Sequence, residues 1–249
     1  MMTLPKKEDA IHKAWLYRLL EAIADDHELS QSLYFKGGTC ASMLGWLPRF
    51  SVDLDFDYAL KGNDKDIRET RGRLEKIFKE LGLSIKDSSK NGIQYFLKYD
   101  NPVKSARNTL KIDVSFPIFK SSKYAPKRFE EIDRILTCQT RETMFAHKLV
   151  APLDRYEKTG SIAGRDIFDI RHFFLSNFNF DPAVIKECRG VEAKEYLGQL
   201  YDFVEKNVNN NVITEDLSSL LPPADFQRVR KILKREVLSL LKEANQQVN

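Results

Sequence analysis

The sequence predicts an α+β fold, in which an N-terminal part of strands and helices is followed by a C-terminal part made of helices alone. Two segments, 52–56 and 110–116, alternate apolar and polar residues with the period of two that marks a half-buried strand. From Thr140 onward, apolar residues recur instead at helical spacing. We therefore expect one domain at 1–138 and a helical domain at 139–249.

The overall composition is that of an ordinary globular protein. The chain has 249 residues, enough to bury a sizeable core, and its 40 Lys and Arg against 36 Asp and Glu give a formal net charge of +4. That charge is compatible with a polyanionic partner but does not require one. The three cysteines are widely spaced, and no segment is long and apolar enough for a membrane span. We expect a cytoplasmic protein without membrane contact, disulfide framework or thiolate zinc site.

The first elements are predicted in the order helix, strand, glycine turn, helix. An amphipathic helix is expected over 5–26 and a short apolar strand at 33–35. Gly37 and Gly38 come next, and Thr39 is expected to cap the short helix that follows. A longer helix and three strands are then predicted, at 64–81, 83–86, 93–99 and 110–116. The C-terminal helices are expected over 140–157, 165–176, 182–189, 192–207, 213–220 and 223–246.

Four acids lie on the open faces of the two half-buried strands. In SVDLDFD, Asp53, Asp55 and Asp57 alternate with apolar residues, and Asp113 has the same position in TLKIDVSF. Carboxylates two residues apart on a strand repel by roughly 2.4 kcal/mol at about 7 Å and an effective dielectric near 20. A divalent cation, Mg²⁺ or Mn²⁺, would offset that repulsion. We expect Asp53, Asp55 and Asp113 to bind the metal, and Asp57 to be a surface acid at the strand end.

The glycine pair supplies the other half of a phosphate site. Because they lack side chains, Gly37 and Gly38 let the backbone approach an anion, and the start of the next helix favours negative charge. An NTP and a metal would then meet between turn and strand. This arrangement suits attack of a hydroxyl on the NTP α-phosphate, with metal ions stabilising the oxygens and Asp113 helping to activate the hydroxyl.

These motifs, in this order, resemble the polymerase-β-type nucleotidyltransferase superfamily. Within it, KGGT followed by RFSVDLDF is similar to the AbiEii/AbiGii toxin family, whose members carry a glycine pair and then an Arg-x-Ser-x-Asp-x-Asp run. The resemblance covers roughly 33–175 and implies a nucleotidyltransferase-type mixed sheet flanked by helices, followed by a C-terminal helical bundle. It implies nucleotide contacts from Gly37, Gly38, Thr39, Arg49 and Ser51.

The resemblance continues into the helical part. Family members have a lysine-bearing helix and then an Arg-Asp-x-x-Asp helix, which correspond here to Lys148 and to Arg165, Asp166 and Asp169. It implies that Lys148 contacts the nucleotide phosphates and that Asp166 is the catalytic acid of the second domain, although Asp169 could face the site instead. Pro152 is expected to kink the first of these helices.

The activity implied is transfer of a nucleoside monophosphate from an NTP to a hydroxyl acceptor, with release of pyrophosphate. The resemblance also implies that the acceptor is RNA, at the 3′ end of tRNA, and that the protein is the toxin of a bacterial toxin–antitoxin pair with an antitoxin as partner. Two other functions fit the same residues. One is a same-fold enzyme that modifies a protein or a small molecule, and the other is a nucleotide- or RNA-binding module without turnover.

Structural roles remain open for several of these residues. Asp113 could form an ion pair with Lys111, and Lys148 could be an exposed helix lysine. Asp166 could form an ion pair with Arg165 or Arg171. The basic side chains of the last helix could contact RNA phosphates or form a solvated face. The aromatic rings of the helical part are expected to pack in its core rather than to stack on bases; they are Phe173, Phe174, Phe178 and Phe180.

Overall fold

A seven-stranded mixed sheet forms the centre of the first of two structural units. The computed structural model describes residues 4–103 and 106–248. The strands are β1 (Leu33–Lys36), β2 (Asp53–Tyr58), β3 (Ser84–Ser88), β4 (Ile93–Lys98), β5 (Thr109–Ser115), β6 (Tyr124–Phe129) and β7 (Arg134–Gln139). Their order across the sheet is β3-β4-β5-β2-β1-β7-β6. Strand β2 runs parallel to β5 and β1 to β7, while the other neighbouring pairs are antiparallel.

The helices divide between the two units. Those of the described residues are α1 (Asp9–Asp25), α2 (His27–Ser32), α3 (Gly37–Met43), α4 (Asp64–Glu80), α5 (Arg141–Thr159), α6 (Gly164–Leu175), α7 (Pro182–Arg189), α8 (Ala193–Asn207), α9 (Asn210–Leu217) and α10 (Pro223–Gln247). The first unit holds the sheet and α1–α4, and it ends at Gln139. The second unit holds α5–α10 and the segment Phe119–Lys123. The predicted fold class is therefore confirmed.

The alternation of side chains in the central strands explains how the sheet positions its acids. Leu54 and Phe56 of β2, and Ile112 and Val114 of β5, are buried. The Phe56 ring packs on that of Phe35 in β1, with ring centres 5.3 Å apart. Since successive side chains of a strand point to opposite faces, this apolar face leaves the acids of β2 and β5 together on the other face.

The helical unit is built around buried aromatic and aliphatic side chains. Phe145 of α5 lies edge-on to Phe173 of α6, with ring centres 5.1 Å apart, and Leu233 and Val237 of α10 are fully buried. Helix α10 packs against α6 and α8, and α5 packs against α6 and α7. Helix α5 runs through Pro152 without interruption to Thr159. None of the helices in the described part of the chain has both the length and the apolarity to cross a membrane.

Strands β6 and β7 and helix α2 are absent from the sequence-based prediction. Strand β6 reads YAPKRF, at the edge of the sheet, and of its residues only Phe129 is buried. Pro126 and the two basic residues after it are typical of a protected edge strand, which lacks an alternating apolar signal. Helix α2 follows α1 because the Asp26 side chain caps it, accepting from the N–H groups of Glu28 and Leu29 at 3.1 and 3.0 Å.

Candidate active site at the glycine turn

The turn after β1 lies directly against an acid of β2. In the antiparallel pairing of these strands Lys36 is opposite Asp55, so Gly37 leaves the sheet beside that carboxylate. Gly37 has φ of +78°, a left-handed conformation that favours glycine. A Cβ placed on Gly37 would lie 2.9 Å from the Cβ of Asp55 and would overlap its carboxylate. The absence of a side chain is therefore what allows the turn and the acid to meet.

The second glycine makes an equally close approach to the other half of the motif. A Cβ on Gly38 would lie 2.7 Å from Ser51 Oγ and 2.9 Å from Arg49 Nη2. Both side chains are buried, and Arg49 Nη1 donates to the carbonyl of Phe50 at 3.0 Å. The two sequence motifs thus form one structural feature, in which Arg49 and Ser51 pack beneath the turn. Their contact with a nucleotide stays a prediction.

Thr39 does not cap helix α3, and that part of the sequence-based prediction is wrong. The helix begins at Gly37, its N-cap residue is Lys36, and no side chain caps it. Thr39 is instead fully buried, and its hydroxyl donates to the backbone carbonyl of Asp53 at 2.5 Å. The left-handed glycine starts the helix earlier than the capping pattern suggests. As a result, Thr39 connects α3 to the strand that carries the acids.

The three predicted metal ligands come from neighbouring parallel strands. Asp55 of β2 is paired with Asp113 of β5, and Asp53 is paired with Lys111. Because paired residues of adjacent strands point to the same face, Asp53, Asp55 and Asp113 share one side of the sheet. All three acids are half-buried. The strand register therefore puts them on one face of the sheet, and their binding of a metal stays a prediction.

Asp113 also has two polar neighbours. Lys111 Nζ lies 2.5 Å from Asp113 Oδ2, and Gln94 Nε2 donates to the same oxygen at 3.0 Å. The ion pair with Lys111, one of the alternatives for this residue, is thus present. About a third of the Asp113 side chain, 32 %, is exposed, so a substrate can still reach it.

The donor set at the turn fits a hard divalent cation in part. Within residues 4–103 and 106–248, no group of three or more His, Cys, Asp or Glu side chains is arranged to hold a metal ion. The acids beside the turn, Asp53 and Asp55, offer carboxylate oxygens, which are the ligands that Mg²⁺ prefers. Asp113 can join them if its oxygen exchanges the Lys111 ammonium for the metal.

Asp57 is not the surface acid that the strand pattern predicts. Its exposed fraction is 6 %, and its carboxylate accepts from Lys36 Nζ at 2.6 Å and from both Tyr124 Oη and Gln139 Nε2 at 2.7 Å. Tyr124 belongs to β6 and Gln139 to β7, the two strands that the sequence did not reveal. Since Lys36 directly precedes Gly37, this buried cluster fixes the start of the glycine turn.

His12 supports the beginning of β2 from helix α1. Burial lowers its pKa to about 4, so the ring is neutral near pH 7 and has one N–H group. Nε2 lies 2.9 Å from the carbonyl of Val52, which can only accept, and Nδ1 lies 2.8 Å from the Tyr99 hydroxyl. Nε2 therefore carries the hydrogen and donates to the residue before Asp53. No spacing in the sequence links His12 to this strand.

In the helical unit, Lys148 contacts Asp169 rather than Asp166. Lys148 Nζ lies 2.8 Å from Asp169 Oδ2, and the Asp169 side chain is completely buried. Asp166 is also buried and accepts from Arg155 Nε at 2.9 Å. Only 14 % of the Lys148 side chain is exposed, so the exposed-lysine alternative is wrong. A catalytic role for Asp166 stays a prediction.

We expect Lys148→Met to destabilise the protein by about 3 kcal/mol, because it removes an ammonium group from contact with a fully buried carboxylate. Urea unfolding of the purified variant would measure this change. The matched control is Lys158→Met, at an exposed position of the same helix, which we expect to change the free energy of unfolding by less than about 0.5 kcal/mol. Equal effects of the two substitutions would contradict a stabilising role for the buried pair.

Comparison with known proteins agrees with this geometry. The model of the family described as nucleotidyl transferase AbiEii toxin, type IV TA system, matches residues 18–242. A solved structure of a proposed nucleotidyltransferase from H. pylori superposes with a TM-score of 0.61 at 18 % identity, covering 98 % of this chain and 97 % of that one. JHP933 from Helicobacter pylori gives a TM-score of 0.55 at 19 % identity, with 98 % and 96 % covered. No curated protein matches the chain significantly.

The two structures share the fold of this chain. The family match over most of the sequence shows that this chain is a nucleotidyltransferase of the AbiEii toxin family.

Proposed function

We propose that this protein transfers a nucleoside monophosphate from an NTP to the 3′ hydroxyl of an RNA, with tRNA as acceptor, and that the reaction requires Mg²⁺ or Mn²⁺. The observation that carries the proposal is the pairing of Asp55 with Asp113 on parallel strands, with Gly37 against Asp55. This places carboxylates and an open backbone turn at one position. Transfer at an α-phosphate needs both.

Each residue at the turn has a distinct role in this proposal. The backbone of Gly37 and Gly38 approaches the phosphates, where a side chain would prevent contact. Asp53 and Asp55 would hold the metal, which would supply positive charge for the phosphates and for the departing pyrophosphate. Asp113 takes the proton from the acceptor hydroxyl. This proton moves to Asp113 as the hydroxyl oxygen bonds to the α-phosphorus and the bond from the α-phosphorus to pyrophosphate breaks.

Lys111 and Lys148 provide positive charge for the phosphates. Lys111 already lies 2.5 Å from Asp113 and can turn toward an incoming oxyanion. Lys148 is held in one orientation by buried Asp169, which reduces the entropy lost when it contacts a phosphate. We assign Lys148 to the nucleotide on this ground and on the family pattern.

The RNA acceptor and an antitoxin partner are further parts of the proposal. Family membership supports the antitoxin, since the family is that of toxins from toxin–antitoxin systems. The formal net charge of +4 is compatible with an RNA acceptor. We place the reaction in the bacterial cytoplasm, where NTPs and tRNA occur together.

Incubation with each α-labelled NTP, Mg²⁺ and total tRNA tests the proposal. We expect one NTP to label tRNA, and Asp55→Asn to lower the labelling by at least about 10²-fold, because a carboxylate near the reacting phosphate is lost. Asp87→Asn, an exposed acid on β3, is the matched control and should act as the wild type does. Labelling of a protein or small-molecule fraction instead of RNA would contradict the RNA acceptor, and absence of all labelling would contradict the transfer reaction.

A further inference from the structure

We infer that the helical unit carries a pocket for one unpaired RNA base, next to the loop between α6 and α7. The inference rests on the proposed RNA acceptor, but it concerns residues of the helical unit alone. A cavity of about 550 Å³ lies here, between the loop and the C-terminal end of α10. That volume is within the range of small-molecule pockets in proteins. It is large enough for one nucleobase with its ribose.

Three phenylalanine rings form the apolar wall of the cavity. Phe174, Phe178 and Phe180 line it, and each is only half-buried. Of the four rings expected in the helical core, Phe173 alone is therefore fully buried, and the other three are open to a different role. Phe174 and Phe180 both lie edge-on to the buried ring of Phe145, at centre distances of 4.8 and 5.8 Å. These contacts anchor both rings against the core. Rings held in this way offer flat surfaces on which a base can stack with little loss of side-chain entropy.

The opposite side of the cavity carries hydrogen-bonding groups. Asn177 and Asn179 of the loop line it together with Glu243 and Gln247 of α10. Gln247 Nε2 donates to Glu243 Oε1 at 3.4 Å, which keeps the two side chains together. Amide and carboxylate oxygens can accept from the amino groups of a base, and the amide N–H groups can donate to its ring nitrogens. A carboxylate on the rim favours adenine, cytosine or guanine, which carry amino groups, over uracil.

Arg141 supplies the charge for the phosphate of the same nucleotide. Its guanidinium lies 4.5 Å from the centre of the Phe178 ring, and 47 % of its side chain is exposed. Among the described residues that line the cavity itself, none is Lys or Arg. The cavity therefore suits a neutral base, while the cation beside it suits the backbone phosphate. Aromatic stacking next to a basic side chain is the usual way in which proteins bind single-stranded RNA.

A protein side chain would fit the cavity less well. An aliphatic partner would bury the amides of Asn177 and Gln247 and the carboxylate of Glu243 without hydrogen bonds, at a cost in free energy. A base satisfies these groups and covers the aromatic rings at the same time. The chemistry of the lining thus favours a planar ligand with a polar edge.

Fluorescence anisotropy with labelled RNA pentanucleotides of A, C, G or U, in the absence of NTP, tests the pocket. We expect Phe178→Ala to weaken binding about tenfold through loss of stacking, and Phe178→Trp to retain it. Arg141→Gln should weaken binding about threefold. It should also reduce the slope of log affinity against log salt concentration by the amount that corresponds to about one phosphate contact. The matched control is Tyr201→Ala, a half-buried aromatic of α8 that lines a different cavity and should leave the affinity unchanged.

Three results of the RNA-binding assay would overturn the inference. They are wild-type affinity in folded Phe178→Ala, equal weakening by Phe178→Ala and Phe178→Trp, and equal binding of pentanucleotides with and without their bases. If Phe178→Ala lost the binding of a protein partner but kept its RNA affinity, the pocket would belong to that partner instead. Because no NTP is present, a failure of the transfer reaction with RNA affinity that still depends on Phe178 would count against the proposed function and leave the pocket standing.

Discussion

Gly37→Ala is expected to abolish nucleotidyl transfer and to destabilise the first unit. Gly37 has φ of +78°, a conformation that costs an alanine roughly 1–2 kcal/mol. The added methyl group would also overlap the Asp55 carboxylate. Either the turn or Asp55 must then move, and displacement of a carboxylate at the proposed site is expected to lower the rate of transfer by at least about 10²-fold. Transfer of label from NTP to tRNA and urea unfolding would measure the two effects.

Gly45→Ala separates backbone strain from overlap. Gly45 has φ of +72°, nearly the value of Gly37, but a Cβ there would meet no atom within 4 Å. We expect this control to lose roughly 1–2 kcal/mol of stability and to keep wild-type transfer activity. If the two alanine variants transfer equally well, the contact between Gly37 and Asp55 is not needed for the reaction.

Asp57→Ala is expected to be the most destabilising single change in the sheet. It leaves the ammonium of Lys36, the hydroxyl of Tyr124 and the amide of Gln139 without their shared acceptor in a site where Asp57 is only 6 % exposed. Removing one partner of a buried ion pair costs about 3–5 kcal/mol. Because Lys36 precedes the glycine turn, we also expect a raised KM for NTP in variant protein that remains folded.

Asp100→Ala is the matched control for Asp57→Ala. Asp100 is an exposed acid of the same unit, and its loss should change the free energy of unfolding by less than about 0.5 kcal/mol. Asp57→Asn keeps the size of the side chain and can still accept two of the three hydrogen bonds. Its loss of unfolding free energy should therefore lie between those of Asp57→Ala and Asp100→Ala. A stability of Asp57→Ala equal to that of the control would mean that the buried cluster does not hold the turn.

Local patterns were sufficient to predict the elements that bear the site. The alternation in SVDLDFD and TLKIDVSF predicted β2 and β5, because each strand buries one apolar face. The sequence also indicated that the glycine pair lies near the Arg-x-Ser-x-Asp-x-Asp run. This expectation rested on their order in the chain and on the family resemblance. Helices α5–α8 and α10 lie within a few residues of the predicted ranges, since each has a continuous apolar stripe.

Contacts between distant strands could not be read from the sequence. Asp57 has the same alternation as Asp53 and Asp55, and its burial depends on side chains from strands that lie two and three places away in the sheet. Those partners, Tyr124 and Gln139, lie on β6 and β7. Strand β6 has one buried residue, and β7 has only two buried apolar residues, which is too short a pattern to identify a strand from the sequence. Likewise, the choice of Asp169 over Asp166 as the partner of Lys148 depends on how α5 packs against α6.

The proposed site would explain why three acids on one strand do not have the same role. In the proposed site, Asp53 and Asp55 would face a metal and a nucleotide beside the turn, whereas Asp57 is neutralised from within the fold by Lys36. The charge of Asp57 thus stabilises the start of the turn. This division assigns metal dependence to Asp53 and Asp55 and structural stability to Asp57.

The most direct test of the central claim follows the α- and γ-phosphates of the NTP separately. Wild-type protein is incubated with tRNA, Mg²⁺ and the active NTP, labelled in parallel reactions at the α- or the γ-phosphate, and Asp55→Asn is treated in the same way. We predict that the α-label enters RNA, that the γ-label is released as pyrophosphate, and that the variant does neither. Transfer of the γ-label to the acceptor, or transfer by Asp55→Asn at the wild-type rate, would contradict nucleotidyl transfer at the glycine turn.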